Sequence, residues 1–344
     1  MPPERKGIVC AGNWLVDRVK IIDRLPGQGM LGSIISETLG SGGAPFNVLV
    51  DLAKMGAGFP LAGLGVIGRD GGADYIRSIC QPLGIDISGL VALDGMATSY
   101  TDVMTDSQTG VRIFYHYRGA NALFAPEHVP VAKLKARIFH LGYLLLLDAM
   151  DKPDPAFGTV AAGLLKTCRE AGMKTSVDVV SEESDRFRKL VPAALPFTDY
   201  LILNEIEAGR TTGVQVRDGK GGLIPEGIIK AVDILFKLGK MELAAVHMPE
   251  GVYLKTRDGR RYSQGSLNVP QAYIKGTVGA GDAFCAGMLY GLHEGWDAEK
   301  TLRLGSCAAA ACLSRPGATE GLVPLKEVFK LADRFPQNNP PVPV

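Results

Sequence analysis

The stretch Gly276-Thr277-Val278-Gly279-Ala280-Gly281-Asp282-Ala283-Phe284 has the residue types for chemistry on a charged group. Gly279, Ala280 and Gly281 carry almost no side chain, so their backbone N–H groups can approach an anion closely. A helical pattern follows, and a helix start adds unpaired donors and the positive end of its dipole. Asp282 then stands beside a phosphate-sized site. A carboxylate is a poor ligand for an anion, but it is a suitable base for a hydroxyl about to attack phosphorus. Taken alone, the same residues also describe a glycine-rich turn with an Asp helix cap, and short glycine motifs recur by chance.

A second glycine-rich turn, Gly40-Ser41-Gly42-Gly43-Ala44-Pro45-Phe46-Asn47, also opens a helical pattern, which stops at Gly56. Upstream, Gly7 to Ala11 reads as a short buried strand. Asp17 follows it, near where open α/β sheets bind ligands; a helix cap or surface charge is its other reading. Asn204-Glu205-Ile206-Glu207 follows a strand at Tyr200 to Asn204. Acids at a helix start suit the dipole alone, and they also suit Mg²⁺, which prefers oxygen ligands and keeps several waters.

Together these motifs resemble the signatures of the PfkB, or ribokinase-like, carbohydrate kinases. The resemblance implies Asp282 as catalytic base, with Gly279, Ala280 and Gly281 as donors to the transferred phosphoryl group. Gly42-Gly43-Ala44-Pro45-Phe46-Asn47 is similar to the form common in fructokinase-like members. It implies that Gly42, Gly43 and Asn47, with Asp17, contact the sugar. The Asn-x-x-Glu motif implies that Asn204 and Glu207 act near the nucleotide and Mg²⁺, with Glu207 reaching the metal largely through water. Gly251 and Thr277 fall on the nucleotide side. Tyr117-Arg118 is similar to a pair in ketodeoxygluconate-type kinases, which would put Arg118 on a substrate carboxylate; its other reading is a surface charge.

Three positions depart from the family. Gly276 stands where many members have an Asp that helps to bind a monovalent cation, so potassium activation is not implied. His247-Met248-Pro249-Glu250-Gly251 replaces a Thr-Leu-Gly stretch, and Pro249 lacks a backbone donor. Leu15 stands where ribokinases proper carry an Asn, which argues against ribose.

The elements that must position these residues alternate strand and helix, as in a largely parallel sheet with helices on both faces. Strands are expected at 137–141, 175–179, 200–204 and 243–247. Helices are expected at 74–83, 156–171, 228–238 and 298–314, and residues 269–274 read as extended. Residues 18–40 and 98–122 read as short strands, and the resemblance makes them a small β-sheet lid over the sugar. The expected fold is thus a ribokinase-like, doubly wound α/β domain over 1–334. The Pro-rich residues 335–344 read as a flexible or extended tail. His140, inside an apolar strand, reads as a hydrogen-bonded core residue. Gly63-Leu64-Gly65-Val66-Ile67-Gly68 spells a dinucleotide motif but does not open a helix at once.

A formal net charge of +1 over 344 residues gives no sign of nucleic acid or an anionic membrane as partner. The six cysteines form no C-x-x-C pair and read as reduced, buried thiols of a cytoplasmic protein. The longest apolar run, Leu141 to Leu147, is too short to span a bilayer. The expected activity is ATP- and Mg²⁺-dependent phosphorylation of a sugar or sugar acid, with a homodimer through the lid. A nucleoside kinase and an inactive sugar-binding homologue are the alternatives.

Overall fold

The apolar run Ile8–Gly12 forms strand β1 and is buried along its whole length. This computed structural model describes residues 5–182 and 184–344. After β1 come β2 (Leu15–Ile22), β3 (Ile34–Gly42), α1 (Ala44–Lys54), β4 (Leu61–Ile67), α2 (Gly71–Cys80), β5 (Asp86–Ala92), β6 (Ser99–Asp106) and β7 (Arg112–Tyr117). The middle of the chain holds β8 (Ile138–Leu144), β9 (Pro153–Asp154), β10 (Gly158–Thr159), α3 (Val160–Glu170), β11 (Lys174–Val179), α4 (Phe187–Ala194), β12 (Tyr200–Asn204) and α5 (Glu205–Thr212). The last part holds α6 (Pro225–Leu238), β13 (Leu243–Met248), β14 (Gly251–Thr256), β15 (Arg261–Gly265), α7 (Ala280–His293), α8 (Ala298–Cys312) and α9 (Leu325–Arg334).

The large sheet runs β15-β14-β13-β12-β11-β8-β1-β4-β5. All neighbours from β13 to β5 pair parallel, and β14 and β15 pair antiparallel at one edge. Strand side chains alternate between two cores. On β12, Ile202 joins the core under α1, α2, α7, α8 and α9, whereas Leu201 and Leu203 join the core under α3 to α6. This is the doubly wound α/β arrangement expected. The chain runs outward through β4 and β5 on one side of β1, and through β8, β11, β12 and β13 on the other. Connections therefore part above the carboxyl ends of β1 and β8, where such folds bind ligands.

Four strands form a separate small sheet, β3-β2-β6-β7. The β2–β6 pair is parallel and the outer pairs are antiparallel.

Several expected boundaries move. Helix α2 starts at Gly71 rather than Asp74 because the Asp70 side chain accepts from Ala73 N–H at 3.1 Å and caps it. Helix α3 starts at Val160 rather than Ala156, since β9 and β10 pair first and Thr159 supplies the cap. The run 269–274 is not a strand: Pro270 leads into a 3₁₀ turn at Gln271–Tyr273. The Pro-rich end is extended but not a free tail. Asn338 N–H donates to Ser266 O at 2.9 Å, Gln337 Nε2 donates to Gly265 O at 3.0 Å, and Val342 is fully buried. Proline forbids helix, yet extended chain can still pack through its side chains. In the 63–68 motif, a β-carbon on Gly63 or Gly65 would lie 2.3 Å from the Trp14 ring. Those glycines make room for a buried tryptophan. All six cysteines are free and buried.

Candidate active site

Helix α7 begins at a residue only glycine suits. Gly279 is its N-cap at φ 79°, and a β-carbon there would lie 2.5 Å from Ala318 O. Ala280, Gly281 and Asp282 form the first turn, whose N–H groups have no partner within the helix; Ala280 N–H makes a long bond to Thr277 O at 3.4 Å. Asp282 is buried and held at both oxygens. Asn47 Nδ2 donates to Oδ2 at 2.7 Å, and the Tyr143 hydroxyl donates to Oδ1 at 2.8 Å. Helix α1, starting after Gly43, brings Asn47; strand β8 brings Tyr143. Burial pushes the Asp282 carboxyl up, and these two donors oppose that by stabilising its charged form.

Asp17 stands on β2, in register with Gly40 of β3 and Thr101 of β6. A β-carbon at Gly42 would lie 2.7 Å from Asp17 Oδ1, so the glycine gives this carboxylate its place. Burial first, then the Asp282 charge, pushes Asp17 up to about 7; the Thr101 hydroxyl opposes them. Asn47 Oδ1 is buried with no partner among the described residues. A buried orphan acceptor is costly unless something donates to it, and an incoming hydroxyl can.

Two cavities meet at Gly281, the residue before Asp282. A small one of about 210 Å³ is bordered by Tyr143, Asp178, Ser181, Asn204, Glu207, Gly279 and Asp282. A larger one of about 620 Å³ runs past Asn204, Gly251, Thr277 and Ala280 to an apolar wall of Phe284, Ala309, Ala310 and Leu313. Asn204, His247 and Gly281 border both. The structure thus brings Asn204, Gly251 and Thr277 to the larger cavity, and Glu207 to the smaller.

Asn204 and Glu207 form a reciprocal cap on α5. Glu207 N–H donates to Asn204 Oδ1 at 2.8 Å, and Asn204 N–H donates to Glu207 Oε2 at 3.0 Å. The Ser181 hydroxyl donates to Glu207 Oε1 at 2.8 Å. Burial pushes Glu207 up to about 7. Asp178 is also pushed up, by burial and then by the Glu207 and Asp282 charges. Three carboxylates thus border one small cavity whose lining includes no Lys or Arg among the described residues. Such an all-oxygen, charge-excess donor set fits Mg²⁺.

Arg118 is not brought to this site. Its guanidinium pairs with Asp148 at 2.7 Å and reaches Glu182 at 3.7 Å, and it borders neither cavity. His140 is a core residue, fully buried, with Nδ1 3.1 Å from Ser176 Oγ. Gly276 packs on the Arg315–Pro316 backbone, and a β-carbon there would lie 2.7 Å from Pro316 O. An aspartate at 276 therefore needs that backbone to move. Tyr143 and Asp178 escaped the sequence reading. Tyr143 lies in an apolar run and reads as core; the signal for Asp178 is an acid inside an otherwise buried strand.

The sequence pattern of the pfkB family carbohydrate kinases matches residues 5–325. The chain belongs to that family. Among PfkB relatives, it is 27% identical over 332 residues to ribokinase of Arabidopsis thaliana, covering 94% of this chain and 80% of that one. It is 23% identical over 300 residues to 5-dehydro-2-deoxygluconokinase of Shouchella clausii, covering 85% and 86%. The Arabidopsis ribokinase structure with ribose and ATP superposes with a TM-score of 0.77 at 24% identity, covering 95% of this chain and 98% of that one. A putative ribokinase II from E. coli with ATP and Mg²⁺ gives 0.75 at 19% identity, covering 95% and 99%. These likenesses show the ribokinase-like fold. Relatives in the PfkB family are carbohydrate kinases, which are phosphotransferases by class. No helix among the described residues is long and apolar enough to cross a membrane.

Proposed function

We propose that this chain transfers the γ-phosphoryl group of ATP to a hydroxyl of a sugar or sugar acid, with Asp282 as general base. The observation that carries this reading is the place of Asp282 at the start of α7, where the two cavities meet, with Asn47 and Tyr143 fixing its carboxylate. The larger cavity takes the nucleotide, with its base against the apolar wall and its phosphates toward Gly279–Gly281. Asp17, Gly42, Gly43 and Asn47 hold the acceptor, and the orphan Asn47 Oδ1 takes one hydroxyl proton in a hydrogen bond. The attacking oxygen gives its proton to Asp282 and bonds to the γ-phosphorus as the bridging P–O bond to ADP breaks. N–H groups of Gly279, Ala280 and Gly281 stabilise the charge on the transferred group. Asp178 and Glu207, with Asn204, would hold Mg²⁺, which supplies charge neutralisation of the nucleotide phosphates. The small sheet, which carries Asp17 on β2, covers the acceptor and excludes water from it.

ATP consumption with Mg²⁺ against sugars, sugar acids and nucleosides tests this. Turnover with a sugar or sugar acid is the expected result. Turnover with a nucleoside alone would replace the acceptor class. No turnover, while a sugar still raises the melting temperature, would make the chain a binding protein.

The small sheet also leaves Ile34, Ile35, Leu39, Phe114 and Tyr115 exposed, from 49% to 61%. Isolated exposed apolar residues are ordinary, but this many on one sheet suit an interface. We propose that it pairs with the same sheet of a second copy. Ile35→Asp should convert a dimer to a monomer in sedimentation; a monomeric parent protein would end this proposal.

A further inference from the structure

The PfkB pattern ends at residue 325, and residues 336–342 lie beyond it, pinned beside β15 and the chain that follows. Asn268 N–H donates to Pro336 O at 2.8 Å, and Leu267 and Gln337 form an antiparallel bridge. Asn338 N–H donates to Ser266 O at 2.9 Å, and Val342 N–H donates to Ser263 Oγ at 3.2 Å. Glycines make room for this segment. A β-carbon on Gly265 would strike Asn338 O, and one on Gly251 would lie 3.0 Å from Pro341 Cδ. Residues 336–342 are thus a strap seated in the fold, with Val342 fully buried at its end.

The strap borders the larger cavity through Asn338, next to Ser266, Leu267 and Asn268. Strand order places it at the end away from the phosphoryl position. The cavity starts at Gly281 on α7 and Asn204 on β12, passes Met248 on β13 and Gly251 on β14, and reaches Ser266 just after β15. Neighbouring strands lie about 4.8 Å apart, so three such steps separate Asn204 from the β15 side, and the strap lies beside that. With the phosphates at Gly279–Gly281, the part of a nucleotide that reaches Asn338 is its base. The Asn338 side chain is oriented by the protein: Nδ2 donates to Ser266 Oγ at 3.0 Å. That bond uses an N–H of the amide and leaves Oδ1, an acceptor, for a ligand.

We infer that Asn338 recognises the nucleotide base, Oδ1 accepting a hydrogen bond from the exocyclic amine of adenine, so that the strap selects an amino-purine over an oxo-purine triphosphate. This rests on the kinase reading above and adds to it the group that tells one purine from another. Adenine offers an N–H₂ donor at the position where an oxo-purine offers an acceptor. Against Oδ1 the first is a hydrogen bond and the second is acceptor facing acceptor. A neutral hydrogen bond of this kind changes affinity about three- to tenfold. Its loss should be felt by ATP and not by ITP, which differs from ATP only in carrying the oxo group.

The test is titration calorimetry of the full chain with Mg²⁺ and the β,γ-methylene analogues of ATP and ITP. The unaltered protein should bind the ATP analogue about three- to tenfold more tightly. Asn338→Ala should bring the two affinities within about twofold, by weakening the ATP analogue. Asn338→Asp keeps an acceptor and should keep the preference. Equal binding of both analogues by the unaltered protein overturns the inference. So does an equal loss for both in N338A, which would mean contact with the ribose or packing alone, and so does an N338A that keeps the preference. Asn338 is exposed, so N338A should hold its melting temperature. Should it not, the unaltered protein decides with the triphosphate of purine riboside, which has hydrogen in place of the amine. It should bind more weakly than the ATP analogue by the same factor, and equal affinity overturns the inference. If neither analogue binds at all, the kinase reading falls and this inference with it, a result distinct from binding without a preference.

Discussion

Asp282→Asn should lower kcat by roughly 10²- to 10⁴-fold, the range for loss of a positioned base, with little change in melting temperature. The structure explains why the fold survives. Tyr143 OH can still donate to the amide oxygen, as it donates to Oδ1 now. Asn47 can turn its amide so that Oδ1, at present without a partner, accepts from the new NH₂. The folded protein raises the Asp282 carboxyl above its ordinary value. Folding therefore favours its protonated form, and this group's contribution to stability declines as pH rises through the folded value. At neutral pH the neutral Asn removes that cost, so the variant should be at least as stable as the parent. The same shift places the acid limb of kcat/KM above the usual carboxylate range. Tyr143→Phe removes a donor to the charged form. The limb should then move to higher pH. A limb that stays in place in Tyr143→Phe, or full turnover in Asp282→Asn, would remove Asp282 from the role of base.

Much of this site was legible because its parts are local. A glycine pair before a helix, or Gly-Ala-Gly-Asp after a loop, records a backbone need that only a few residue types meet, so Gly42, Gly43, Gly279 and Asp282 stood out. The strand pattern was legible for a similar reason: a strand buried on both faces must be apolar throughout, as Ile8–Gly12 is. What the sequence hid is set by distant pairing. Tyr143 is 139 positions from Asp282 and looks like core until β8 is laid beside β1. Asp178 becomes a site residue only when β11 ends beside Glu207. Arg118 shows the opposite case. Its neighbourhood suggested a substrate carboxylate, but Asp148 already occupies the guanidinium. Ion pairs between loops leave no periodic trace. The β14–β15 edge escaped because Arg261–Gly265 is short and largely polar, and its docking partner, the Pro-rich end, has no helix or strand propensity to announce it.

Gly279→Ala isolates the contribution of the α7 start from that of the base, and it should cost both activity and stability. Two effects act together. At φ 79° a β-carbon meets its own backbone, a strain of about 1–2 kcal/mol for a non-glycine residue. The added methyl would also stand 2.5 Å from Ala318 O and 2.6 Å from Ala318 Cβ. The chain can relieve both only by moving the α7 start away from residue 318. That movement carries the Ala280 and Gly281 N–H groups off the phosphoryl position, where removing one such donor costs about 10²-fold or more in kcat. The Asp282 carboxylate stays tied to Asn47 and Tyr143, so the base persists while the anion site does not. The expected signature is a lower melting temperature together with a kcat loss near 10²-fold and an unshifted acid limb. Asp282→Asn should differ on every count: stability kept, acid limb removed, and kcat lost through the base alone. Gly279→Ala with full activity would mean that transfer does not use the start of α7, whatever Asp282 does.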